Sequence, residues 1–433
     1  MKTFIYWLVL FINMISKDKL KQVLIEQRIS ILNKELGLER NVLDLVGKKI
    51  KLPHVVVITG LRRSGKSTLL RQIINKHYSD EDFYYINFED ERLFNFKAEN
   101  FNLIYETLME LFGDKKTFFI DEIQNINNFE TFVRRFYNSG FKFFITGSSA
   151  NLLSKEIGTK LTGRHVDIVV KPFSFNEFLR FKKYAFKPAD LFESKRRVEL
   201  KKLFAEFLVS GGMPEYLIYS DPEVLIRVYE DIVIKDIAAR YSLDNVSQIK
   251  ELYQYLITTF SQKFSYNSLK KFIKINSVNT IKKYIDFLER TYFIDQITKF
   301  DYSLKKQLMN HKKIYVVDNW FINNISLKFT HDFGWLLENL VFLNLKSGGT
   351  IFYYSDKFEC DFVVVEKKKV VSAIQVCWTL SNSNNSREVN GLLEAMKKFK
   401  LKEGFILTND QEDEFIVDNK KIIVKPVWKW LLE

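Results

Sequence analysis

Gly60-Leu-Arg-Arg-Ser-Gly65-Lys66-Ser67-Thr68 fits the pattern G-x-x-x-x-G-K-[ST] at every fixed position. Upstream, His54-Val-Val-Val-Ile-Thr59 is a β-branched run that predicts a buried strand. Downstream, Thr68-Leu-Leu-Arg-Gln-Ile-Ile-Asn75 has helical spacing. A strand, a glycine turn and a helix start together aim backbone N–H groups at one point, and the helix dipole favours an anion there. Gly60, Arg62, Arg63, Ser64, Gly65, Lys66, Ser67 and Thr68 are therefore the candidate phosphate-binding residues. Gly60 and Gly65 supply backbone freedom that a side chain would forbid. Lys66 is expected to reach the β- and γ-phosphates of ATP, and Ser67 to hold Mg²⁺.

Working outward, Asp82-Phe-Tyr-Tyr-Ile-Asn-Phe88 reads as a strand, and a helix is predicted near Phe101–Phe112. Thr117-Phe-Phe-Ile-Asp121-Glu122 is an apolar strand ending in two acids. One βα unit after a phosphate loop, Asp121 is expected to bind the Mg²⁺ shell through water. Glu122 is expected to orient and activate the attacking water as the catalytic base. Phe141-Lys-Phe-Phe-Ile-Thr146-Gly147-Ser148-Ser149 predicts a further strand with a hydroxyl-rich end. Strand C-termini gather beside the ligand in a parallel sheet, so Thr146 or Ser148 is placed to sense the γ-phosphate. A helix from about Ala150 to Leu161 then leads to Arg164 and the fifth strand, Val166–Val170. Arg164 is read either as a catalytic guanidinium for the γ-phosphate held by a neighbouring copy of the chain, or as a surface arginine.

The 433 residues suffice for several domains, and the 46% apolar content with 40 Phe and 6 Pro argues against disorder. The net charge of +13 favours a polyanionic partner such as nucleic acid. Two cysteines, Cys360 and Cys377, fit a reducing, cytoplasmic setting without disulfides. Phe4–Ile12 is apolar but too short to span a bilayer, so stable membrane insertion is not expected. That run either packs on a core, precedes a true start at Met14, or gives a weak anchor.

Several stretches together carry a family resemblance: Thr59–Thr68, Tyr85-Ile-Asn-Phe-Glu-Asp90, Phe119-Ile-Asp-Glu-Ile-Gln124, Ile145-Thr-Gly-Ser-Ser149, Leu161-Thr-Gly-Arg164 and Pro172-Phe-Ser-Phe-Asn-Glu-Phe178. Ser210-Gly-Gly-Met-Pro-Glu215 and Lys235-Asp-Ile-Ala-Ala-Arg240 extend it. The chain resembles archaeal and bacterial AAA-type P-loop ATPases with a winged helix and a C-terminal PD-(D/E)XK nuclease-like domain. The resemblance implies an α/β fold: a P-loop parallel sheet with a helical lid, a winged helix and an α/β restriction-endonuclease-like domain. Within the wider AAA class an arginine placed like Arg164 resembles the trans-acting finger, which would make the chain a homo-oligomer; whether it works in cis or in trans is left open by the sequence. Arg240 is a second sensor candidate on position alone. The expected domains are an N-terminal apolar segment (1–19), the ATPase (20–175), the lid (176–245), the winged helix (246–318) and the nuclease-like domain (319–433).

The winged helix is read from three helices, Lys250–Phe260, Ser265–Ile275 and Val278–Thr291, and two strands, Tyr292–Thr298 and His311–Val317. The third helix is expected to bury Ile281, Ile285, Leu288 and Tyr292 and to show Asn279, Lys282, Lys283 and Arg290 to solvent. From Ser261 to Lys313 there are 12 Lys or Arg against 4 Asp or Glu, a local balance of +8. Such concentration favours DNA; packing or protein contacts are the alternative.

From Gly334 the order reads helix, three strands, helix, strand. In the nuclease pattern that this resembles, Glu338 on the helix, Asp361 on the second strand and Gln375 on the third stand where Mg²⁺ ligands would be. Gln375 replaces an acid, and Cys377 stands where a lysine is required, with Lys397 or Lys398 left as spatial substitutes. Cleavage is therefore not expected. The expected activity is Mg²⁺-dependent ATP hydrolysis acting on DNA. The alternatives are a slow ATP-dependent switch that organises protein partners, or an ATP-gated nuclease.

Overall fold

The computed structural model describes residues 16–78, 82–147, 163–327, 332–346 and 348–433. The expected apolar run 4–12, the helix 150–161 and Ser148 lie outside the described residues. Two compact units divide the chain, one reaching Lys171 and the other running from Pro172 to Glu433.

In the first unit, β1 (Val55–Gly60), β2 (Tyr84–Asn87), β3 (Thr117–Asp121), β4 (Lys142–Gly147) and β5 (His165–Val170) form a parallel sheet in the order β2-β3-β4-β1-β5. Their unbroken apolar runs make sense because both faces are covered. Alternate residues of β1 divide between two cores, Val55 and Val57 on one face and Val56 and Ile58 on the other. The phenylalanine pairs of β3 and β4 stack in register, Phe118 on Phe143 at 5.2 Å and Phe119 on Phe144 at 4.6 Å. On the first face lie α1 (Lys17–Asn33), α4 (Phe101–Phe112) and α5 (Phe129–Asn138); the second is covered by α2 (Val42–Ile50) and α3 (Lys66–His77).

In the second unit, α6 (Ser194–Ser210) precedes the glycine pair 211–212. A Cβ on Gly211 would lie 1.7 Å from the Asp318 carboxylate, and one on Gly212 would lie 2.2 Å from the Phe173 carbonyl. The missing side chains let the Gly212 N–H donate to Asp318 at 2.7 Å, across 106 positions of sequence. Next come α7 (Val246–Thr258), α8 (Tyr266–Ile273) and α9 (Val278–Arg290), then the antiparallel pair β6 (Ile294–Thr298) and β7 (Lys312–Val316). Ile281, Ile285 and Leu288 are buried as the spacing requires, and Asn279, Lys282 and Lys283 are exposed. Tyr292 departs from expectation: α9 stops at Arg290, and Tyr292 sits half-buried in a left-handed turn (φ 63°) that redirects the chain into β6. Arg290 also departs, since it is half-buried and pairs with Asp286 at 2.8 Å.

The C-terminal part is built on α10 (Phe333–Leu345), α11 (Asn385–Phe399) and a mixed sheet of order β12-β13-β11-β10-β9-β8. Its strands are β8 (Thr350–Ser355), β9 (Glu359–Glu366), β10 (Lys369–Val376), β11 (Glu403–Thr408), β12 (Asp413–Val417) and β13 (Lys420–Pro426). The last two were not anticipated.

Candidate functional site

The phosphate loop joins β1 to α3 at the C-terminal edge of the parallel sheet. Gly60 has φ 143°, and a Cβ there would lie 2.2 Å from the Val170 carbonyl. Gly65 has φ 99° and caps α3. The exposed Arg63 turns the loop in the left-handed region (φ 61°). Arg40 supports the loop from behind. Buried itself, it donates to the carbonyls of Ser64 at 2.9 Å and Lys171 at 2.6 Å. Its own N–H is accepted by Gln72 of α3, which also donates to the carbonyls of Leu36 and Leu38. Thr68 takes a hydrogen bond from Arg71 at 3.0 Å.

Lys66 is 5% exposed, and its ammonium donates to the carbonyls of Gly60 (3.3 Å) and Leu61 (3.0 Å). Asp121 closes β3 and is buried. Burial and the neighbouring Glu122 raise the Asp121 carboxyl above its ordinary range, against the pull of Thr146, Ser67 and Lys66. Hydroxyls surround it: Thr146 and Ser67 hydrogen-bond to it, and so does Tyr85. Thr146 has a second duty, since its oxygen accepts the Glu122 N–H at 3.0 Å. Glu122 sits in the left-handed region (φ 51°), and Gln124 donates to its carboxylate. A cavity of about 440 Å³ opens beside this cluster, lined by Ser67, Asp121, Tyr85, Arg71 and Asn87, with α1 as a further wall.

The donor set fits a small, hard dication. Ser67 and Asp121 offer a hydroxyl and a carboxylate within hydrogen-bond reach of each other. Ser64 Oγ, buried inside the loop, has no hydrogen-bond partner among the described residues, as befits a loop that wraps a polar guest.

The structure thus brings Gly60, Ser64, Gly65, Lys66, Ser67, Asp121, Glu122 and Thr146 together. Arg164 is not with them. It precedes β5, its carbonyl accepts the N–H of Val55 at the start of β1, and its guanidinium bonds Asn138 at 2.8 Å. The strands are parallel, so Arg164 lies at the sheet edge opposite the loop and takes no part in this chain's own site. Arg240 is exposed in the second unit, past the end of a π-helical stretch. Sequence reasoning missed Arg40, Tyr85 and Gln72. Tyr85 alone left a trace, as a polar-tipped residue one strand over from the acidic pair.

The carboxylates of the C-terminal sheet correct another expectation. Glu338 and Asp361 do converge, but the Lys313 ammonium lies between them, 3.1 Å from Glu338 and 3.3 Å from Asp361. Gln375 faces neither as a metal ligand: its Oε1 accepts the Asp361 N–H at 3.2 Å, and its amide donates to Glu388 at 2.6 Å. Among the described residues no group of three or more His, Cys, Asp or Glu side chains is arranged to hold a metal ion. Neither Lys397 nor Lys398 reaches the cluster. Both are exposed, and Lys397 pairs with Asp418 at 2.6 Å. Both cysteines are free and buried, and burial lifts the Cys377 thiol to about 12, out of the range of reactive thiols. No helix among the described residues is long and apolar enough to cross a membrane.

An AAA domain matches residues 53–179, and a domain of unknown function matches residues 201–330. The chain is similar to an uncharacterized protein of Haemophilus influenzae, 29% identical over 398 residues, covering 88% of this chain and 94% of that one. It is also similar to the Thermotoga maritima RuvB Holliday junction branch migration motor, at 16% identity and a TM-score of 0.28, covering 59% of this chain and 85% of that one. At that score the likeness carries no argument. The uncharacterized protein MJ1544 of Methanocaldococcus jannaschii is 37% identical over 441 residues and is matched over 97% of both chains. This chain, an α/β protein with an AAA-type P-loop ATPase domain, belongs to the family of MJ1544.

Proposed function

We propose that the chain is a Mg²⁺-dependent ATPase that acts on duplex DNA. The observation that carries the catalytic half is Thr146, which donates to Asp121 and accepts from Glu122, so that one hydroxyl sets both acids beside Lys66 and Ser67. Ser67 and Asp121 would hold Mg²⁺, which when bound would neutralise charge on the phosphate oxygens. Lys66 exchanges the carbonyls of Gly60 and Leu61 for β- and γ-phosphate oxygens. Glu122 accepts the proton of the attacking water and aims its oxygen at the γ-phosphorus. Arg164, at the far sheet edge, suits a trans role on a neighbouring copy.

For DNA the support is the exposure of Lys282, Lys283, Lys305 and Lys306 on α9 and on the segment between β6 and β7, which we read as a winged helix. The +8 balance overstates this surface. Lys312 and Lys313 are buried, and Lys263 is paired with Glu359. A second reading, an ATP-dependent switch that captures proteins, is favoured by the exposed Tyr302, Leu304, Leu308 and Met309 beside those lysines.

The test is ATP turnover with and without duplex DNA, for the wild type, Glu122→Gln and a fourfold variant with Lys282, Lys283, Lys305 and Lys306 changed to Glu. Glu122→Gln should bind ATP while turning over about 10²–10⁴-fold more slowly. The fourfold variant should lose DNA affinity and its steep salt dependence. Unchanged turnover in Glu122→Gln removes its assigned role, and unaltered DNA affinity in the fourfold variant removes DNA.

A further inference from the structure

We infer that Lys313 is the resident cation of the carboxylate cluster in the C-terminal sheet, so that this cluster takes no divalent metal and instead fastens the β6–β7 hairpin to that sheet. Lys313 and Tyr315 stand two apart on β7 and so point to one face. Glu359 and Asp361 bear the same relation on β9, and Glu338 comes from α10. An ammonium group has three N–H donors. Here each finds a different acid: Glu359 at 2.7 Å, Glu338 at 3.1 Å and Asp361 at 3.3 Å.

Further protein donors reach each acid, Tyr315 sharing with Lys313 the same oxygen of Glu338. Tyr315 donates to Glu338 at 2.7 Å, the Val376 N–H donates to Asp361 at 2.9 Å, and Lys263 pairs with Glu359. The side chain at 375, where a nuclease would need an acid, is a neutral amide already engaged on both of its ends.

Three of the four groups are buried, and Glu359, 32% exposed on its side chain, is the one that reaches the surface. Lys313 is 3% exposed, Glu338 5% and Asp361 6%. A metal ion entering there would have to displace the tethered Lys313 ammonium from its three acids, and a buried charge without its partners is strongly disfavoured. The local field acts on these groups unequally: burial lifts the Glu338 and Asp361 carboxyls above their ordinary ranges against the pull of Lys313. The three acids hold the Lys313 ammonium well above its ordinary range despite its burial. Glu359, which burial alone would raise, is held below its usual value by Lys313 and Lys263.

The inference does not depend on the ATPase reading, and its test involves no nucleotide. Metal-stripped full-length protein is titrated with Mn²⁺ while the free ion is followed by electron paramagnetic resonance. Wild type and Asp361→Asn should bind the same amount. One additional Mn²⁺ held by the wild type and lost in Asp361→Asn overturns the assignment. A second arm stands even if that variant folds poorly. Lys313→Met leaves three acids facing one another, two of them buried, and adding Glu338→Gln and Asp361→Asn replaces those two with neutral amides. The triple variant should melt at a higher temperature than Lys313→Met alone. A triple variant no more stable than the single one shows that the lysine is only packed there.

Discussion

Lys66 in the first unit and Lys313 in the second are both buried near an aspartate, and the two lysines do opposite things. Lys66 donates to two main-chain carbonyls, and its neighbour Ser67 lines a cavity of about 440 Å³. Lys313, buried itself, rests on three carboxylates. A neutral carbonyl releases an ammonium readily to a phosphate oxygen, whereas a ring of carboxylates does not, because the acids left behind would repel one another. The difference teaches that lysine plus acids is not yet a reaction centre. What matters is whether the lysine's present partners can be exchanged.

Swapping the same substitution between the two places gives the largest contrast. Lys66→Met should reduce ATP turnover by at least about 100-fold and alter unfolding free energy by only about 1 kcal/mol. Lys313→Met should leave the turnover of folded protein intact while destabilising the second unit by about 3–5 kcal/mol. Denaturant melts and turnover measured on both variants check this, and matching profiles would break the contrast.

Thr146→Val sharpens the ATPase side. It strips Asp121 of a donor and the Glu122 N–H of its acceptor, and should lower kcat about 100-fold with ATP affinity nearly unchanged.

Acidity separates the regions next. Burial and the repulsion of Glu338 lift the Asp361 carboxyl well above the usual aspartate range. Between about pH 4 and the lifted value the folded state holds a proton that the unfolded chain has released, so the stability from this group is present below about pH 4 and is lost as pH rises through the lifted value, above which Asp361 is the carboxylate that Lys313 faces. Thermal midpoints taken from pH 4 upward should therefore fall less steeply in Asp361→Asn than in the wild type.

The smallest effect belongs to Tyr85→Phe, which deletes one of three hydroxyls on Asp121. Half-saturating Mg²⁺ for turnover should rise about fivefold, with kcat at saturating Mg²⁺ preserved, in keeping with the roughly 1 kcal/mol of a single hydrogen bond.

How much of this could be read beforehand follows from distance along the chain. The loop, its strand and its helix are contiguous, and β-branched runs ending in Gly or Asp-Glu announce a parallel sheet in any surroundings. The three helices and the hairpin before residue 318 were likewise legible, since Ile281, Ile285 and Leu288 mark a buried stripe. Arg40 was not, because its partners Ser64 and Lys171 lie 24 and 131 positions away and nothing local marks it. Lys313 was misread as one more basic residue near a lysine-bearing loop. Its strand pattern gave the element, but only the arrival of Glu338 and Asp361 from later elements gave its meaning. β12 and β13 escaped because Asp413–Pro426 mixes charge with short apolar pairs, as suits the end of a sheet where one side meets water.

The placement of Lys313 bears on how this protein can be dissected. A fragment opening at Asn319 would inherit Glu338, Glu359 and Asp361 without the one side chain that neutralises them, and would forfeit the Tyr315 hydroxyl too. The complementary fragment would end with a lone ammonium facing water from a strand built to be covered. Limited digestion should therefore yield no durable core cut near that point. Anyone wishing to study the C-terminal sheet in isolation would need to begin upstream of β6, so that the counter-ion travels with its acids.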